Sequence, residues 1–152
     1  MGHNMEIIKY RKIIAAVSLV LFIAALVLEC LPSAQTLTFS VSTSSGEMGF
    51  TYIHYHFFDL TPVGFAFFTP FITGLLTIAG IILFGINIFY PRIRKHCAGL
   101  AVITTIVSTI HMFFYSLEAF TATGIIISAL LLTTSIINIV QLAREHKRHL
   151  DF

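Results

Sequence analysis

Residues 70–95 read PFITGLLTIAGIILFGINIFYPRIRK: 21 residues without a charge, then a proline and a knot of three cations. A helix needs about 20 apolar residues to cross a hydrocarbon core of about 30 Å. The run is apolar on every side, so it lacks the alternation of a barrel strand. Backbone in lipid must satisfy its own polar groups, which selects the helix. The stretch 70–90 therefore reads as a membrane-spanning helix, and Pro91 stops it at a basic boundary.

Three further stretches have the same character: 13–31, 98–117 and 124–143. The 152-residue chain is 57% hydrophobic and 11% charged, against about 45–50% and about 25% for ordinary soluble domains. A globule this small cannot hide so much apolar surface. The expected fold is an all-α integral membrane protein, a single domain over 1–152, with four transmembrane helices in an antiparallel bundle. Soluble enzymes, disordered chains and disulfide-stapled scaffolds are excluded by composition.

The charges orient the bundle. Lys9, Arg11 and Lys12 precede the first span, Arg92, Arg94 and Lys95 separate the second from the third, and Arg144, Lys147 and Arg148 follow the fourth. Those are all nine basic residues, and all fall on one side. The other side carries Glu29, Glu47, Asp59 and Glu118 and no cation. The positive-inside rule places both termini in the cytoplasm of a multi-pass protein of the cell membrane. Glu29 occupies the place before Cys30 where a lipoprotein cleavage site requires a small residue, so the first span reads as a retained anchor. Position 6 is Glu6, not the Ser or Thr of a myristoylation signal.

The outer loop, about 32–69, is the one loop long enough to hold structure. Thr36-Leu37-Thr38-Phe39-Ser40-Val41-Ser42 alternates polar and apolar, the period of a half-buried strand. Thr43-Ser44-Ser45-Gly46-Glu47 has turn chemistry. Residues 50–58 return to β-branched and aromatic composition. A short β-hairpin on the outer membrane face is expected. Nine aromatic residues fall between Phe50 and Phe71, which suits the headgroup level. Thr61-Pro62 and Thr69-Pro70 both read as an N-cap followed by proline in the first turn, so 62–68 reads either as an interfacial turn of helix ahead of the span or as a protruding first segment kinked at Pro70.

Helices associate in lipid through small residues and shared hydrogen bonds. Thr69, Thr73, Thr77 and Gly80 form such a stripe in the second span, and Ala98, Ala101, Thr105 and Ser108 one in the third. Gly124, Ser128 and Ser135 form one in the fourth. Asn87 and Asn138 lie at similar depth near the cytoplasmic ends and are expected to bond across. A channel lining is also rich in Ser and Thr, but close packing is the commoner reason for such stripes.

Three sets of residues carry chemistry. His54 and His56 share a strand face by alternation, and two imidazoles at that spacing can chelate zinc or copper if a third ligand such as Asp59, Glu47 or Glu118 is at hand; the plainer reading is a pair of interface residues. His111 reads as the deepest ionisable group in the chain, and an ionisable residue within a membrane is a functional hypothesis by default. Glu118 lies two turns on. With Glu29 these two can form a proton or cation site; the plainer reading is a neutral, hydrogen-bonded His111 and two carboxylates that simply reach water. Cys30 and Cys97 lie at opposite faces, too far apart for a disulfide, which excludes thiol-disulfide enzymes of the vitamin K epoxide reductase type. No phosphate loop, nucleophile elbow or zinc-protease motif occurs. No cofactor and no nucleic acid are expected.

Four spans, cytoplasmic termini and a β-like first outer loop together resemble the layout of claudins. The resemblance is one of topology: their Trp and paired Cys signature has no counterpart here. Small multidrug transporters carry a Glu in the middle of their first helix, whereas Glu29 lies at the outer end. The expected function is therefore a non-enzymatic accessory or partner-binding subunit that presents the hairpin, set in the bilayer as a homo-oligomer or beside a larger membrane protein. The alternatives are a small oligomeric transporter or channel using His111, Glu118 and Glu29, and metal handling through His54 and His56.

Overall fold

The computed structural model describes residues 2–31, 35–42, 48–59, 68–114 and 121–150. Its elements follow in the order α1 (Gly2–Glu29), β1 (Gln35–Ser42), β2 (Met48–Tyr55), α2 (Thr69–Phe89), a 3-10 turn (Pro91–Ile93), α3 (Arg94–Phe114) and α4 (Ala122–Leu150). α1 packs on α2 and α4, and α3 packs on the same two helices, so the four close a ring. Among the described residues three helices are, by length and composition, long and apolar enough to cross a membrane: α1 over Lys9–Glu29, α2 over its full length, and α4 over Ala122–Lys147.

The helices outrun the apolar stretches at their basic ends. α1 starts at Gly2 rather than 13, α3 at Arg94 rather than 98, and α4 reaches Leu150 rather than 143. Hydropathy marks where lipid ends, not where the helix ends. The tail of α4, rich in Leu, Ala, Arg, Glu and Lys, is made of strong helix formers. At the start of α2 the expected Thr69 cap is replaced by Phe68, with φ −90° and ψ −3° and no side-chain bond. The Phe68 carbonyl accepts the Ile72 N–H at 2.9 Å. Thr69 is thus already helical, and Pro70 sits in the first turn, where its missing N–H is no loss.

β1 and β2 pair antiparallel, Gln35 opposite Tyr55 and Ser42 opposite Met48. β2 spans Met48–Tyr55 rather than 50–58, and the cause is local. Asp59 Oδ2 accepts the His56 N–H at 2.7 Å, while the Asp59 N–H donates to the His56 carbonyl at 3.2 Å. The chain therefore turns just past Tyr55. The reading of 62–68 as an interfacial turn falls largely outside the described residues.

Exposure in the ring is inverted relative to a water-soluble protein. Ser18, Glu29, Thr73, Thr77 and Thr104 are fully buried, whereas Val20 is 63% and Ile82 58% exposed. Water would penalise that arrangement, and lipid favours it. The buried stripe of α1 is Ala15, Ser18, Phe22, Ala25 and Glu29, and that of α2 is Thr73, Thr77, Gly80, Phe84 and Asn87. Both step by three and four residues in alternation, the seam of a coiled coil. Midway along, the Phe22 and Phe84 rings pack at 5.3 Å between centroids and join Ala25, Ala101, Ile127 and Leu131 in an apolar core. Gly80 makes room for this pair, because a Cβ there would overlap the Phe22 ring.

Candidate functional site

Two polar nodes close the bundle, one at each end, with the Phe22–Phe84 layer between them. The node at the hairpin end of the bundle, here labelled the outer node, is built on Glu29, the last residue of α1, whose side chain turns into the ring and is fully buried. The Thr77 hydroxyl of α2 lies 2.8 Å from Glu29 Oε1 and 3.0 Å from the Thr73 carbonyl. Glu29 Oε2 is buried without a hydrogen-bond partner. A buried polar oxygen left in that state is costly unless something else reaches it.

The exit turn of the hairpin sits on the same helix end. The Phe57 N–H donates to the Glu29 carbonyl at 3.1 Å, and the Phe57 side chain is 1% exposed. His56 Nδ1 lies 2.7 Å from the Cys30 carbonyl. A carbonyl only accepts, so the imidazole carries a hydrogen on Nδ1. The Phe58 ring covers Gly74, where a Cβ would approach it to 2.7 Å. One backbone bond, one imidazole bond and two aromatic rings thus fasten the hairpin exit to the adjoining ends of α1 and α2.

Along the ring, hydroxyls bridge neighbouring helices. Thr105 and Ser135 oxygens lie 2.8 Å apart, as do those of Ser108 and Ser128, joining α3 to α4. Asn138 Nδ2 donates to Ser18 Oγ at 2.8 Å and to the Thr134 carbonyl at 2.8 Å, joining α4 to α1. The expected Asn87–Asn138 bond does not form: neither side-chain oxygen has a partner. α2 and α4 face each other across the diagonal of the ring, so similar depth does not make them neighbours. Ala101, Thr105, Ser108, Gly124 and Ser128 all lie on buried faces.

The node at the opposite end, here labelled the inner node, is one the sequence reading missed. Glu145 of α4 accepts Arg11 Nε of α1 at 2.9 Å, and both of its carboxylate oxygens meet the Arg94 guanidinium of α3. Gln141 Nε2 adds a bond at 3.4 Å. The side chains of Glu145 and Arg94 are 13% and 17% exposed. Burial lowers the Arg94 pKa from the ordinary guanidinium value, Glu145 opposes that shift, and Arg11 adds to it. The group stays charged throughout the accessible pH range. The available signal was Glu145 itself, an acid set between cations on the side that carries all nine.

Of the proposed trio, Glu29 is the described member: the His111 side chain and Glu118 lie outside the described residues. His54 is exposed on β2, and His56 lies one residue past the strand end, half-buried. Among the described residues no three His, Cys, Asp or Glu side chains gather as a metal site. Cys30 is exposed and Cys97 buried, both free, and the Cys97 thiol donates to the Leu83 carbonyl at 3.6 Å. No family model, curated protein or solved structure matches this chain.

Proposed function

We propose that the chain is a four-span protein of the cell membrane, its helices antiparallel and both termini cytoplasmic, that works by assembly. It acts as a non-enzymatic accessory or partner-binding subunit presenting the hairpin on the outer side. α3 joins the other three helices as a span: Ile103, Ile106 and Ile110 form an exposed apolar face on it, at 52%, 53% and 38% exposure. The inner node draws the starts of α1 and α3 to the end of α4, as antiparallel neighbours require.

The observation that carries the assembly reading is the hairpin. It is fastened through Phe57 and His56, yet Met48 is 84% and Ile53 41% exposed. Among the described residues neither strand has a second neighbour. A lone two-stranded sheet is marginal in water, and open edges invite a further strand. Conduction is less well supported, since the Phe22–Phe84 layer fills the ring between the two polar nodes.

The test is recovery of partners from native membranes after mild detergent extraction, with wild type beside the double variant Met48→Ser, Ile53→Ser. A specific larger membrane protein that accompanies wild type and is depleted with the variant is expected. Homo-oligomers alone, equally abundant with both chains, would favour the transporter instead.

A further inference from the structure

We propose that Glu29 is a proton-binding site whose occupancy holds the hairpin on the bundle: the protonated acid completes a hydrogen-bonded chain with Thr77 and Thr73, and loss of the proton releases the turn at Phe57.

Counting hydrogens leads to the protonated form. The Thr77 hydroxyl has one hydrogen and two oxygen neighbours, Glu29 Oε1 at 2.8 Å and the Thr73 carbonyl at 3.0 Å. A carbonyl and an ionised carboxylate both only accept. An ionised Glu29 therefore leaves two acceptors competing for a single hydrogen. A neutral Glu29 donates from Oε1 to Thr77 Oγ1, and Thr77 donates onward to Thr73, so each hydrogen has its own acceptor. Oε2 then remains as an uncharged carbonyl oxygen. That is a far smaller burden than an unpartnered carboxylate oxygen in low dielectric.

No lysine or arginine compensates the charged form. No Lys or Arg lies on this side of the bundle in the whole sequence. α2 faces Glu29 with Thr73 and Thr77, both uncharged, and the outer turns of α4, residues 121–128, hold no ionisable side chain. The exit turn brings His56 and Asp59, with Asp59 committed to the His56 N–H. His56 donates from Nδ1 to the Cys30 carbonyl, a bond that the neutral tautomer and the imidazolium both make. From α3 the titratable groups toward this end are His111, whose side chain is outside the described residues, and Glu118, which is outside them altogether.

The link to the hairpin is covalent connectivity within one residue. The Glu29 side chain is buried while its carbonyl holds the Phe57 N–H, and Phe57 itself is 1% exposed over that end of α1. An ionised carboxylate must be hydrated, and water reaches Glu29 when Phe57 lifts. Ionisation and undocking are therefore linked: acid pH favours the docked hairpin and alkaline pH the released one. The linkage is independent of what the hairpin binds.

The test uses the full chain in nanodiscs of zwitterionic lipid. Dicyclohexylcarbodiimide modifies carboxyl groups that are protonated in apolar surroundings, and peptide mapping locates the adduct. Glu29 is expected to be modified at acid pH and spared at alkaline pH. Amide hydrogen exchange at Phe57, corrected for its intrinsic rate, is expected to lose about tenfold or more of its protection at alkaline pH. Glu29→Gln, neutral at any pH, is expected to keep that protection, and His56→Gln to keep the wild-type response. Absence of the adduct at acid pH would overturn the proposal. So would Phe57 protection in wild type that is the same at both pH values, or a Glu29→Gln response identical to wild type. The labelling arm needs no variant and stands even if a substitution prevents folding.

Discussion

Gly80→Leu is expected to break the contact between α1 and α2 and to remove most of the bundle's stability in detergent. Even a single Cβ at this position overlaps the Phe22 ring. That ring cannot swing aside, because it is fully buried and packed on Phe84 at 5.3 Å. Overpacking of an interior costs typically about 1–3 kcal/mol, and a whole leucine against a wedged ring belongs at the upper end or beyond. Thermal unfolding of the purified protein measures the loss. The double variant Gly80→Leu, Phe22→Ala is expected to recover part of it, since each change vacates what the other fills. Wild-type stability in Gly80→Leu would mean that the α2 stripe does not face α1.

The second large effect is expected at the inner node. Glu145→Ala leaves Arg11 and Arg94 facing each other without their shared carboxylate. Removing one partner of a buried pair costs about 3–5 kcal/mol. Arg11 is 32% exposed and can turn to water or headgroups, so a loss of about 3 kcal/mol is the better expectation. Glu145→Gln keeps hydrogen-bond acceptance without the charge and is expected to fall between wild type and Glu145→Ala. Unfolding midpoints of the three proteins in one detergent give the comparison. An unchanged midpoint in Glu145→Ala would make the node a surface decoration.

The two ends of the bundle were unequally legible in the sequence. Length and hydropathy located α2 to within a residue at each end, because Pro70 and Pro91 bracket it and proline constrains a helix by its missing N–H. The start of α1 and the end of α4 run past the apolar stretches, since those turns are polar while remaining good helix. The stripes through Thr77, Thr105 and Ser128 were readable because period and residue size coincide there. Partner choice was not: Asn138 bonds Ser18, not Asn87, and only the order of helices around the ring decides that. Depth along the membrane is a one-dimensional property that sequence carries, whereas adjacency around a ring is not. Glu145 was hidden for a related reason. Counting its cationic neighbours predicts an orientation, but their convergence from α1 and α3 needs three helix ends in space. At the outer end, Glu29 stood out as an acid at the rim, while its burial depends on how Phe57 returns from the hairpin to cover α1.

The measurement that bears most directly on the four-span reading is sidedness in the native membrane. A reporter fused after Phe152 is expected to report cytoplasm, and one inserted at Gly46, between the hairpin strands, to report the outside. The proposed four spans put all nine basic residues on one side, and the positive-inside rule predicts that outcome. An outside C-terminus would contradict it, either by removing one of the four spans or by inverting the bundle, and would leave the hairpin and Glu29 without their assigned face.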